Sequence, residues 1–176
     1  MVIKSPSIAI QRILAFGADW LVILVWAGLI FGVVMAVTAG NPERLSSPWI
    51  SQTMGFVLMT LPVVLCFAVL ESSVQQATLG KRVFGLMVID QTGQRTSFGS
   101  ALFRNTIKFA PWEAGHIVAN QFVFSDDAEI ATWVYGPMVI SFIFPLWWIV
   151  SIFSTGRTPY DRASCTQVVH THQVPA

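Results

Sequence analysis

Ionisable side chains interrupt two stretches that are otherwise apolar enough to enter a bilayer. Arg12 and Asp19 fall in the first, Glu113 and His116 in the second. Loss of water disfavours the charged form of a carboxylate, and a nearby arginine favours it. A carboxylate poised between those effects exchanges a proton for a cation near neutral pH. Asp19 and Glu113 are therefore candidate transport residues. Arg12 and Asp19 stand two helical turns apart on one face, with a rise of about 10 Å between them. That is too far for a direct pair, so each is expected to find its partner on another helix. Two readings follow. Asp19 exchanges protons or cations with Arg12 tuning it, or Arg12 snorkels to the interface while Asp19 ties the helices together through hydrogen bonds.

Glu113 and His116 have the Glu-x-x-His spacing of di-iron helix bundles. Such sites need a second pair and further glutamates, which this chain lacks, so no metal or other cofactor is expected. The alternatives are a proton-relay pair inside the membrane, or a structural bond from Glu113 to Arg104, Lys108 or Trp112. Asn120 extends the same polar stripe. No nucleophile–base pair or phosphate-cradling glycine loop is present, so no enzyme is expected.

These residues need elements to position them. Of 176 residues, 54% are apolar and 11% charged, against roughly 25% charged in soluble domains. The chain reads as one membrane domain. A net charge of +1, with no basic patch of interleaved aromatics, excludes nucleic acid as a partner. No internal repeat is evident, and Cys66 and Cys165 read as free thiols. Spans are expected at about 12–38, 49–70, 99–124 and 130–153. Pro62 falls inside the second, where a neighbouring helix must satisfy the carbonyl it frees; Glu71 closes that span. The connector holds a β-branched run at 83–89 and a turn signal at Asp90–Gly93, which predict a small hairpin over about 82–98. Lys81, Arg82 and Arg95 would hold it near anionic lipid.

The stretch 99–124 decides the topology. It carries Arg104, Asn105, Lys108, Glu113, His116 and Asn120. If it spans, nine of the ten basic residues lie at or beside one face, leaving only Arg44 opposite together with the acids Glu43, Asp126, Asp127 and Glu129. That bias follows the positive-inside rule. Four spans with both termini cytoplasmic are therefore expected in a cell membrane, with Arg104 and Lys108 snorkelling from the first turns of the third span.

At these residues the sequence resembles the RDD family of membrane proteins, named for one arginine and two aspartates. Arg12 to Asp19 matches its opening R…D pattern. Ala77-Thr78-Leu79-Gly80-Lys81-Arg82, with Gly85-Leu86 and Val88-Ile89-Asp90, looks like its GKR–hairpin signature. Ser97 to Leu102 with Arg104-Asn105 resembles the start of its next helix. The resemblance covers about Ile10 to Val169 and implies that Asp161 is the second aspartate; Tyr160 stands where the family often has histidine. It also implies a cation/proton antiport activity, attributed to some members. The fold class expected is thus an all-α four-span bundle with a short cytoplasmic β-hairpin. The function expected is small-solute or ion transport, with cation/proton exchange its leading form and a monovalent cation or proton as cargo. A homo-oligomer would suit so short a chain. The competing expectation is a non-transporting subunit or assembly partner whose intramembrane charges fix helix packing.

Overall fold

The computed structural model describes residues 6–41, 47–124 and 131–173. Lys4, Glu43, Arg44 and the expected external acids at 126–129 lie outside the described residues.

The chain is mostly helical. Helix α1 runs Pro6–Val37. Helices α2 (Pro48–Gly55) and α3 (Leu61–Ser72) are joined without a break by a π-helical turn at Phe56–Thr60. A short helix α4 (Leu79–Val83) leads into strand β1 (Leu86–Asp90). Helix α5 covers Phe98–Phe124 and α6 covers Tyr135–Thr155. A second short helix, α7 (Pro159–Ala163), leads into strand β2 (Thr166–His170).

Among the described residues three helices are long and apolar enough to cross a membrane: Ile8–Val37, Trp49–Ser72 and Thr132–Thr155. Their outward faces carry exposed Leu, Val, Ile and Phe along their length, as a lipid-facing surface requires. At 32 residues, α1 is about 48 Å long against a hydrocarbon core of about 30 Å. Its first turns are surplus to a span, and they pack against α4 instead.

Proline explains the π-helical turn. Pro62 has no N–H to give the Leu58 carbonyl, the bond an unbroken helix would make. The ladder slips, Leu61 bonding back to Phe56, and the indole N–H of Trp26 on α1 donates to Leu58 O at 2.9 Å. The neighbouring helix thus satisfies the freed carbonyl.

Helix α5 is the most polar of the long helices, yet it packs between α3 and α6 and also touches α2 and α7. Its buried positions include Ala101, Arg104, Asn105, Lys108 and Phe109. Phe109 joins Ile23, Val64 and Phe67 in one apolar cluster, and Ala15 joins Leu86, Val88 and Val168 in another.

The expected hairpin within 82–98 is corrected. The turn forms, with Asp90 Oδ1 accepting from Thr92 and Gln94 and holding the Asp90 carboxyl below its usual range. The returning chain makes only one bridge, Ile89 to Arg95. The partner of β1 is instead β2, antiparallel from Leu86↔His170 to Asp90↔Thr166. Val88 and Val168, directly opposite, bury against Ala15. The 94–98 segment offers polar residues and a helix start, so it has no apolar face to contribute.

The structure also holds a repeat the sequence conceals. Thr78 caps α4, Gly85 turns the chain at φ +64°, and β1 follows at Leu86. Thr158 caps α7, Cys165 turns it at φ +54°, and β2 follows at Thr166. Position for position the two pieces have one backbone course, and their strands pair with each other. Each follows a pair of long helices. Little more than the capping threonine and an arginine, Arg82 or Arg162, is common to the two sequences.

Candidate functional site: a buried charge network and an apolar cavity

The network begins with the residue before each short helix. Thr158 and Asp161 form a capping box: the Thr158 hydroxyl accepts from Asp161 N–H, and the Asp161 carboxylate accepts from Thr158 N–H at 3.0 Å. That geometry aims Asp161 at two arginines. Arg12 pairs with one oxygen and also donates to Gly156 O at 3.0 Å. Arg104 donates to the other oxygen from Nη2 at 2.8 Å and Nε at 3.2 Å. Burial would raise the Asp161 pKa, but Arg12 and Arg104 outweigh it and hold the carboxyl well below its usual range. The adjacent Tyr160 hydroxyl is raised by burial and by Asp161, while its ring lies 5.1 Å from the Arg104 guanidinium.

Arg104 also reaches Glu71, its Nη1 standing 2.8 Å from both carboxylate oxygens. Glu71 also accepts from the Asn105 amide at 2.8 Å and from the Lys81 ammonium at 2.6 Å. Asp19 completes the cluster from α1: its oxygens accept from the Thr78 hydroxyl and from Gly80 N–H, each at 2.7 Å. A glycine is required there, because a Cβ at position 80 would overlap the Ala15 carbonyl and stand 2.9 Å from the Asp19 carboxyl. Glu71, Asp161 and Asn105 are fully buried and Arg104 nearly so.

Arg12 does not pair with Asp19, and neither Arg104 nor Lys108 snorkels outward. Arg12 takes the second aspartate, Asp161, from the far end of the chain. Lys81 is buried in the network and does not hold a hairpin to lipid. Arg82 stays outside it, exposed, donating to Ala77 O at 3.1 Å. Lys108 is buried but makes no ion pair among the described residues. Its ammonium sits 4.8 Å from the Phe16 and Phe67 ring centroids and 5.2 Å from that of Phe109.

A second polar group lies further along α5. Glu113, half-buried, accepts from Gln52 and from Thr60. His116 Nδ1 stands 3.6 Å from its carboxylate. Asn120 accepts from Ser51 at 2.9 Å and donates to Gln52 at 2.6 Å. None of Arg104, Lys108 or Trp112 partners Glu113, contrary to the structural bond considered above. The π-helical turn ends at Thr60, so the slip in the helix sets a hydroxyl opposite the acid. Gln52 and Thr60 are partners the sequence did not single out; a polar residue inside an apolar span was the signal. Among the described residues no third His, Cys, Asp or Glu joins Glu113 and His116 to make a metal-binding group.

Between α1, α5 and α6 lies a cavity of about 520 Å³. Its walls are mainly aromatic and aliphatic, Trp20, Trp112, Phe142 and Trp148 among them, and Lys108, Asp19 and His116 also line it. Cys66 and Cys165 are free and exposed.

Long apolar helices with a buried ionic cluster at their ends define a small integral membrane protein. The RDD family model matches residues 7–165, and the chain belongs to that family. The uncharacterized protein YxaI of Bacillus subtilis (strain 168) is 29% identical over 104 residues, covering 53% of this chain and 69% of that protein. No solved structure matches the chain.

Proposed function

We propose that this protein moves a small solute or ion across the membrane, with cation/proton exchange at Glu113 as the leading form. The observation that carries this reading is the set of partners around Glu113. Like Asp19 it is held by neutral donors and not by arginine or lysine, but among the acids of the described long helices it alone is only half-buried and has a histidine 3.6 Å away. Such a carboxylate can release or take a proton as a cation arrives, with His116 as the neighbouring relay. Asp19, offered above as an equal candidate, is saturated by two short hydrogen bonds and frames the site instead.

The topology proposed is four spans with both termini cytoplasmic. Arg12 near the start of α1, Glu71 at the end of α3, Arg104 near the start of α5 and Asp161 just past α6 touch one another. Alternate helices therefore start and finish at one face, which suits α5 as the fourth crossing. Lys81, Arg82, Arg95, Arg157 and Arg162 gather at that face, the cytoplasmic one by the positive-inside rule. Transporters often join like halves around a central site, and Glu113 lies where the first half meets the second.

Reconstituted protein tests the reading. Proton flux into sealed vesicles, driven by a monovalent cation gradient and followed with a pH-sensitive dye, should fall at least tenfold in Glu113→Gln. That variant should keep the wild-type melting temperature within a few degrees. A wild type that moves no cation would sink the proposal. A second reading, a non-transporting subunit or assembly partner, is favoured by one observation: Asp19, Glu71 and Asp161 are dry and saturated, as acids that only fix packing would be.

A further inference from the structure

The ionic cluster is unbalanced, and the imbalance faces the cavity. Three acids, Asp19, Glu71 and Asp161, meet four basic side chains, Arg12, Lys81, Arg104 and Lys108. The first three bases each hold a carboxylate at 2.8 Å or less. Lys108 holds none: its ammonium is in contact with aromatic faces, and Glu71 and Asp19 act on it only from beyond pairing distance. Cation–π contacts offset part of the cost of burying an ammonium, but they supply no counter-charge. Asp19 also lines the cavity, yet both its oxygens already accept from Thr78 and Gly80.

A second donor is unused in the same cavity. Trp148 on α6 is buried, and its indole N–H has no acceptor within the protein among the described residues. Buried polar groups left unpaired are destabilising, so the two donors together call for an acceptor that carries negative charge. At the end by the ionic cluster the wall also carries Arg12, Lys81 and Arg104, each already paired with a carboxylate; His116 and Ser141 add further polar side chains, and the remainder is mainly apolar. Ile13, Phe16, Phe142 and Ile149 line the cavity and are also exposed. They sit on α1 and α6, two helices apolar enough to cross a membrane, so the mouth opens toward acyl chains. A volume of about 520 Å³ is within the range of small-molecule sites.

We infer that this cavity binds one anionic membrane lipid, its headgroup phosphate on Lys108 and the Trp148 N–H and its acyl chain along the apolar wall between α1 and α6. One excess positive charge suits a headgroup with a single net negative charge, as in phosphatidylglycerol. The cavity borders the Glu113 pair through His116, but Glu113 itself turns to Gln52 and Thr60 and does not line it, and the inference stands whether or not the protein exchanges cations.

The test is lipid retention by purified protein in neutral detergent, read by native mass spectrometry after titration with phosphatidylglycerol or phosphatidylcholine. The wild type should retain one phosphatidylglycerol, at least tenfold more tightly than phosphatidylcholine. Lys108→Met should abolish that preference, Lys108→Arg should restore it, and Trp148→Phe, which keeps the ring and deletes the donor, should weaken it severalfold. If Lys108→Met does not fold, the headgroup comparison and Trp148→Phe carry the test. Equal retention of the two lipids by the wild type overturns the inference. So does a shift in melting temperature with inorganic phosphate alone that matches the lipid's, which would make the site one for a soluble anion.

Discussion

Asp161 accepts from Arg12 and Arg104 while its own helix cap holds it in place. Removing one partner from a buried ionic cluster leaves the others uncompensated and costs about 3–5 kcal/mol. Asp161→Asn is nearly isosteric but removes the charge that two guanidiniums share. It is expected to lower stability by that amount, measured by thermal unfolding or pulse proteolysis in detergent. A loss under about 1 kcal/mol would mean that the arginines find other acceptors. The pH dependence follows from the sign of the shift. The folded Asp161 pKa lies below the ordinary unfolded value of about 3.9. Its contribution is therefore complete above that value and is lost as pH falls through the lower, folded value. Between pH 5 and 8 this residue makes stability flat, and any slope there comes from other groups.

At the scale of elements, the short helices connect signature to packing. Helix α4 reaches α1 only because Gly80 lets its backbone touch Ala15 while its N–H meets Asp19. Gly80→Ala puts a methyl into that contact, and neither the Ala15 carbonyl nor the paired carboxylate can move aside. Overpacking of this kind costs about 1–3 kcal/mol. The expected result is a connector 73–97 that is cleaved faster by added protease in the variant, with the long helices still inserted. An unchanged cleavage rate would show that α4 can re-seat without the Asp19 bonds. The pairing of β1 with β2 ties that connector to the chain beyond α6, so both halves close on one two-stranded piece. Cys165 adopts a left-handed conformation to make that turn, at a cost of about 1–2 kcal/mol for a side chain with a Cβ, where its counterpart is Gly85.

For the whole molecule, the proposed four-span topology makes a labelling prediction. Cys165 is exposed at the turn into β2, beside the ionic cluster. In a Cys66→Ser background, a membrane-impermeant thiol reagent should leave Cys165 unmodified in intact cells and modify it in inside-out vesicles. Labelling in intact cells would place the tail outside and remove the four-span arrangement. It would also leave Arg157 and Arg162 on the face the positive-inside rule disfavours.

The class of this protein was determined by composition and periodicity alone. Long apolar runs broken by Gly-Asn-Pro and by Glu71 can only be stable as helices in lipid, since every backbone group must be satisfied within the segment. Most ionisable residues in those runs were legible as pairing across helices, because an unpaired charge there is costly; Lys108, which has no ion pair among the described residues, is the exception. The strand at β1 was also legible, from its β-branched run and the turn that follows. Partners were not. Nothing local to Arg12 distinguishes Asp19, on its own helix face, from Asp161 at the other end of the chain. Nothing local to β1 favours Thr166–His170 over the nearer segment at 94–98. The partners of Glu113 were hidden in another way, since a π-helical slip before Pro62 decides where Thr60 points. Such choices depend on how helices cross and which backbones approach closely. Those are properties of several segments at once, and only the tertiary structure holds them.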